Sequence, residues 1–194
     1  LAFDWYKRNN FDLIGTVTTQ GIGGEISKYG NVAEMKSQGV ELSLFTRNIE
    51  RKDFKWQTNF IFAWMDNEVT KLKTMTRMID YITGTGYSME GTPRGSLFSL
   101  KFKGLNEMGI PTFLAADGSI TSTNIQFQET VNMSNLVYEG PVDPTITGSL
   151  GNIFKWKGFT LNVFMTYSFG NVVRLDPIFS NGYSDLTAMP REFA

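Results

Sequence analysis

Few residues in this chain carry chemistry by type and spacing, and those that do support binding better than bond-making. Cys and His are both absent. That removes a thiolate nucleophile, a Cys- or His-ligated zinc and a Ser-His-Asp triad. Glu139 and Asp143 lie close enough in sequence to be drawn as a glycosidase acid–base pair, but nothing in the pattern sets them on opposite walls of a cleft. Asp117-Gly118-Ser119 hints at a calcium loop, yet the alternating acidic residues of such loops are missing and a turn is the better reading. Gly21, Gly23 and Gly24 follow no strand-to-helix phosphate motif and read as loop. Four tyrosines remain, Tyr81, Tyr87, Tyr138 and Tyr183, each within a segment that reads as a long loop. They suit stacking on sugar rings or contact with a partner protein, with plain loop packing as the alternative. No metal site and no cofactor site is expected.

The elements that would position these loops are strands. Gly158 to Gly170 alternates strictly: Phe159, Leu161, Val163, Met165, Tyr167 and Phe169 point one way, and Thr160, Asn162, Phe164, Thr166 and Ser168 the other. Phe54 to Met65 repeats the pattern, with Phe54, Trp56, Phe60, Phe62 and Trp64 opposed to Lys55, Gln57, Asn59, Ala63 and Met65. A period of two is the signature of a strand. Further strands are expected at Ala2 to Arg8, at Phe11 to Thr19 after an Asn9-Asn10 turn, from Val40 and at Leu97 to Lys103. Gln20 to Gln38 and residues 73–96 read as loops. Thr112-Phe-Leu and Ile120-Thr flank Asp117-Gly118 as a small hairpin. The clearest hairpin joins Thr145–Trp156 to Phe159–Val173 through Lys157-Gly158.

The fold class is therefore all-β, an antiparallel up-and-down meander. Composition alone, with 14% aromatic residues and 16 Phe in 194, leaves open a soluble β-sandwich and a membrane barrel. No apolar run approaches the length of a membrane-spanning helix. A net charge of −1 supplies no basic field for nucleic acid. Two features favour the barrel. Short turns at Asn48–Asp53 and Trp156–Gly158 alternate with long connections, as in outer-membrane barrels. The span from Phe159 to Phe169 covers about 25 Å along the normal of a tilted sheet, the height of the apolar band in such barrels. Asp4, Glu41, Lys55 and Lys101 would then line the polar interior.

The order of motifs resembles the SusC/RagA family of TonB-dependent outer-membrane transporters. The resemblance runs through Phe3-Asp-Trp-Tyr-Lys-Arg-Asn-Asn-Phe-Asp-Leu-Ile14 and Gly30-Asn-Val-Ala-Glu-Met-Lys-Ser-Gln-Gly-Val-Glu-Leu42. It continues in Phe54-Lys-Trp-Gln-Thr-Asn-Phe60, Glu90–Gly95, Gly104–Phe113, Gly140-Pro-Val-Asp-Pro-Thr145, Gly148–Phe159 and Asp185–Phe193. The family implies a barrel of about 22 strands with a plugged lumen, located in the cell outer membrane. It implies energy from the TonB complex, a SusD-like lipoprotein lid and import of glycans or oligopeptides. On this resemblance residues 1–194 are a partial barrel, internal to C-terminal, with the plug domain and closing strands absent, and the protein is not an enzyme. Its strands would touch outer-membrane lipid, and an isolated slice would stay open or assemble with other copies. Two alternatives remain at this stage: a soluble all-β carbohydrate- or ligand-binding module and, more distantly, a glycan hydrolase.

Overall fold

The computed structural model describes residues 1–18, 27–123 and 125–175. Its frame is one antiparallel sheet of five strands. β1 (Ala2–Thr18), β2 (Ser27–Glu50) and β3 (Phe54–Leu72) lie side by side. The chain then leaves the sheet through α1 (Met78–Thr83), β4 (Ser96–Leu100), β5 (Phe102–Leu105), β6 (Pro111–Leu114), β7 (Ile120–Thr121) and β8 (Leu136–Pro141). It returns as β9 (Ile146–Trp156), which pairs with β3, and ends the sheet as β10 (Phe159–Phe169). The order β1-β2-β3-β9-β10 leaves β1 and β10 as edges, so the sheet is open rather than closed on itself.

Register sorts the side chains into two faces. One cross-strand row is Phe159–Trp156–Phe54, and ten residues further along each strand the same face carries Phe169–Ile146–Trp64–Val40–Trp5. Between them stand Leu161, Phe154, Trp56 and Ile49, then Met165, Leu150, Phe60 and Leu44. The opposite face holds rows such as Ser168–Thr147–Ala63–Glu41–Asp4 and Thr160–Lys155–Lys55–Glu50. Three of the four expected interior charges, Asp4, Glu41 and Lys55, thus share the polar face. Lys101 does not belong to this sheet; it lies between β4 and β5.

Both short turns sit at one end. Lys157 and Gly158 take φ of 45° and 88°, the two positive values a two-residue type I′ hairpin needs. The Lys157 N–H donates to the Asp53 carbonyl at 3.2 Å, which ties this turn to the one between β2 and β3. The long excursion of residues 73–145 leaves from the other end.

The apolar face contains a satisfied polar knot. Trp56 Nε1 and Thr58 Oγ1 both donate to Asn152 Oδ1, at 2.9 and 2.8 Å, and Asn48 Nδ2 donates to Thr58 Oγ1 at 2.6 Å. Away from water each such group needs a partner, and here each finds one on a neighbouring strand. Rings also cover glycines across the ladder. Tyr167 lies over its register partner Gly148 and donates to the Ile61 carbonyl at 3.0 Å, reaching across three strands. On the polar face Tyr6 faces Gly39 and Phe164 faces Gly151. The ring takes the space a side chain would fill, the known remedy for a glycine in a strand.

The buried core lies elsewhere. Among the described residues the buried apolar side chains are Val32, Val69, Met78, Tyr81, Leu97, Phe98, Ala115 and Ile125. None belongs to the apolar rows between Phe54 and Trp64. Most belong to the excursion, which forms a small module over the long-loop end. β4 pairs with β8, while β5, β6 and β7 form a second small sheet that includes the expected hairpin, Leu114 opposite Ile120.

Three expectations need correction. Asn9-Asn10 is not a turn: β1 runs on to Thr18, and the irregularity is absorbed by a bulge with Asp12 at φ 53°. Residues 27–38 are strand rather than loop. Residues 73–96 include the one-and-a-half-turn helix α1. Gly21, Gly23, Gly24 and Asp185–Phe193 lie outside the described residues.

A test of the glycine–ring pairs follows. A Cβ on Gly148 collides with the Ile61 carbonyl and the Tyr167 ring, whereas one on Gly151 meets only the edge of Phe164 at 3.2 Å. In urea unfolding followed by tryptophan fluorescence, Gly148→Ala lowers the midpoint clearly and Gly151→Ala lowers it much less. Equal midpoints would show that the Tyr167 bridge does not fix the ladder.

Candidate functional site at the long-loop end

The outermost part of the sheet reverses its polarity. Up to Trp64 the aromatic side chains of β3 share the face of Phe54. One row further out that face carries Lys7, Gln38 and Asp66, and the next row Asn9, Lys36 and Glu68. Lys36 pairs with Glu68 at 2.8 Å and Lys71 with Glu34 at 3.1 Å. The opposite face now turns apolar, with Met35 beside Val69 and, after a bulge that skips Thr70, Ala33 beside Leu72 and Leu13. β1, β2 and β3 thus continue past the apolar band as a blade. Its inner side is greasy and its outer side is laced with ion pairs.

β9 pairs with β3 only up to Trp64, so the remaining edge of β3 needs cover. The module supplies it. Val69 N–H donates to the Thr92 carbonyl and Gly91 N–H to the Val69 carbonyl, each at 2.9 Å; Arg94 N–H donates to Asn67 Oδ1 at 2.9 Å.

The module is built around Phe98. Tyr81 meets Phe98 edge-on at 5.1 Å between ring centroids and Tyr87 at 5.8 Å, while Tyr138 lies 6.0 Å from Phe98. Three of the four expected tyrosines therefore join one aromatic chain, with Tyr81 and Tyr138 against Phe98 and Tyr87 against Tyr81. Tyr81 is buried and donates to the Ser88 carbonyl at 3.2 Å, and burial raises its phenol pKa. For this residue loop packing is the reading that fits. Tyr87 and Tyr138 keep 38% and 44% of their surface exposed, enough to meet a ligand. Tyr183 lies outside the described residues. Arg174 Nη2 donates to the Phe98 carbonyl at 2.9 Å, which binds the segment after β10 to the same cluster.

Between the greasy side of the blade and the module lies a cleft of about 500 Å³. Leu13, Met35, Val69 and Leu72 form its sheet wall, and Met75, Tyr87 and Arg94 part of its loop wall. Beyond Tyr87 no residue pattern marks this cleft, because its wall comes from strand segments whose charged residues disguise the alternation.

The carboxylates weighed for catalysis are engaged separately. Asp143 pairs with Arg94 at 3.6 Å, and Glu139 accepts from Ser99 Oγ. Asp117 accepts from the Ser119 backbone N–H at 2.9 Å and its hydroxyl at 2.6 Å, with Gly118 at φ 83°; this is a turn.

The profile of the family described as TonB dependent receptor-like, beta-barrel, matches residues 1–180. The chain belongs to the TonB-dependent receptor β-barrel family. TonB-dependent receptor P3 of Formosa agariphila is 27% identical over 89% of this chain. SusC of Bacteroides thetaiotaomicron is 31% identical over 37% of it. The solved structure of the RagAB peptide transporter superposes with a TM-score of 0.66 at 27% identity, over 87% of this chain. The chain spans 19% of the length of both the P3 receptor and the RagAB chain. It is therefore a segment of a large transmembrane β-barrel, of the SusC/RagA type read from its motifs, whose sheet is open at β1 and β10.

Within this barrel segment the module has a built-in acid sensitivity. Asp80 is held below the ordinary carboxylate range by the Arg77 guanidinium, which donates to it at 2.9 and 2.8 Å. Glu129 is lowered by the backbone N–H groups of Val131 and Thr130, and Asp117 by Ser119. Groups with a depressed folded pKa contribute stability above the unfolded value, and lose it as pH falls through the folded one. Amide exchange at residues 78–80 and 129–131 is thus expected to speed up, relative to intrinsic rates, as pH drops below about 4. The ladder between β3 and β9 keeps its protection, and uniform loss across both would contradict the assignment.

Proposed function

We propose that this chain forms part of the wall and extracellular rim of an outer-membrane, TonB-dependent importer of large nutrients, glycans or oligopeptides, that works with a SusD-like lipoprotein. The plug domain and the remaining strands belong to other parts of the protein. The chemistry is transport and no residue acts catalytically. The TonB complex supplies energy through parts of the receptor outside this segment.

One observation carries this reading. The apolar rows from Phe54 to Trp64 span about 25 Å along the normal of a sheet tilted near 40°, with Trp156, Phe54 and Phe159 at one limit and Trp5, Trp64 and Phe169 at the other. Beyond that limit the polarity reverses. A soluble sandwich must cover its apolar face, yet Phe159, Leu161, Met165 and Phe169 are each more than half exposed. Lipid is the solvent that suits such a surface. By the rule that short turns face the periplasm, the turns at 51–53 and 157–158 lie inside and the module lies outside. The lid and the substrate would then meet the module, where Tyr87 and Tyr138 are the exposed tyrosines available for contact. The names of SusC and of the RagAB peptide transporter support the importer reading and leave glycan and peptide both open.

The expected outcome is simple to measure. The full-length protein fractionates with the outer membrane and shows heat-modifiable gel mobility. Met165→Arg puts a cation near mid-height on the lipid face, at a cost of about 2–4 kcal/mol, and reduces the folded, heat-modifiable band. Thr166→Arg, one residue on and facing the lumen, leaves it intact. Recovery of the protein only from the soluble fraction, or equal effects of the two substitutions, would overturn the proposal.

A further inference from the structure

The cleft between blade and module has a chemistry that discriminates between the two substrate classes. Resting on the importer reading, we propose that it is a binding site for peptides, holding an apolar side chain against the blade while Arg94 receives a nearby carboxylate. A volume of about 500 Å³ falls in the range of small-molecule and side-chain pockets. Its sheet wall, with Leu13, Met35 and Leu72, offers only hydrocarbon and thioether, and the cleft's aliphatic hydroxyls, on Thr74, Thr76 and Ser88, stand on the loop side. A glycan brings a hydroxyl on nearly every carbon, and each hydroxyl pressed against that wall would lose its water without replacement. A leucine-like side chain loses nothing there. Met35 and Met75, unbranched and polarizable, can repack around side chains of different shape, so the cleft need not be tuned to one side chain.

Charge at the mouth points the same way. Arg94 is the guanidinium on the cleft wall. Its ion pair with Asp143 is long, at 3.6 Å, and both side chains are more than half exposed. Such a pair is weak. A carboxylate of the ligand can take the planar fork of the guanidinium and displace Asp143. The backbone of Arg94 stays fixed meanwhile by its N–H bond to Asn67, so the cation is held at the mouth while its head remains free to pair. Tyr87 adds a ring that is partly exposed to the cleft and braced from behind by Tyr81.

The experiment uses purified full-length receptor in detergent and fluorescence anisotropy with three probes: labelled Gly-Gly-Leu-Leu-Gly-Glu, labelled Gly-Gly-Ser-Ser-Gly-Glu, and maltoheptaose as competitor. The leucine peptide is expected to bind at least tenfold more tightly than the serine peptide, with maltoheptaose failing to displace it. Met75→Glu, at a well-exposed loop position, should weaken the leucine peptide at least tenfold, and Arg94→Gln several-fold. Met108→Ser, on the distant turn between β5 and β6, should have no effect. Heat-modifiable mobility checks that each variant is folded. Equal binding of the two peptides, insensitivity to both cleft variants, or displacement by maltoheptaose at matching concentration would each overturn the peptide cleft. These results are separable from the importer reading. A receptor that sits in the outer membrane but binds peptides independently of Met75 and Arg94 sinks the cleft alone. A receptor that binds as expected but fractionates as soluble sinks the importer alone.

Discussion

The surrounding medium dictates which side of each strand is apolar, and the medium changes along the strand. Side chains alternate across a sheet with a period of two, so a strand that leaves a bilayer must exchange its greasy side for its wet one at the boundary. In β3 the exchange falls between Trp64 and Asp66. Before it, apolar residues face away from the row of Glu41 and Asp4. After it, Val69 and Leu72 look toward that same side and the outer face is closed by ion pairs such as Lys36 with Glu68. The same reversal makes the blade a wall for the module, since its inner side needs cover from water. Module, cleft and rim follow from one switch in phase.

Backbone hydrogen bonding imposes the second constraint. Unpaired N–H and C=O groups are not tolerated in hydrocarbon, so β1 and β10 must each meet another strand. Within the sheet, rings over glycines and the bond from Tyr167 to the Ile61 carbonyl hold the register. The Asn152 knot shows that polar side chains persist on the apolar face when they satisfy one another.

The sequence was most legible where one medium applies throughout. The alternation at Phe159–Phe169 predicts a strand with the right faces and turn, because all of it lies within the apolar band. Residues 27–38 read as loop because Lys28, Glu34 and Lys36 break the apolar rhythm, yet Glu34 and Lys36 point outward and pair across strands with Lys71 and Glu68. The Asn9-Asn10 signal was misleading for a related reason: a bulge at Asp12 uses the same residue types as a turn. Of the tyrosines, sequence could suggest an aromatic cluster in the loops but not that Tyr81 would be its buried centre. Burial there depends on Phe98 and Arg174, far away in the chain.

Because β9 docks directly on β3, the excursion between them is topologically a side branch. The wall keeps its strand order whatever is inserted there, provided the insertion returns a stretch of backbone to the bare edge at Asn67 and Val69. The outer rim is therefore an exchangeable cap, and one cap could be traded for another without disturbing the ladder beneath it.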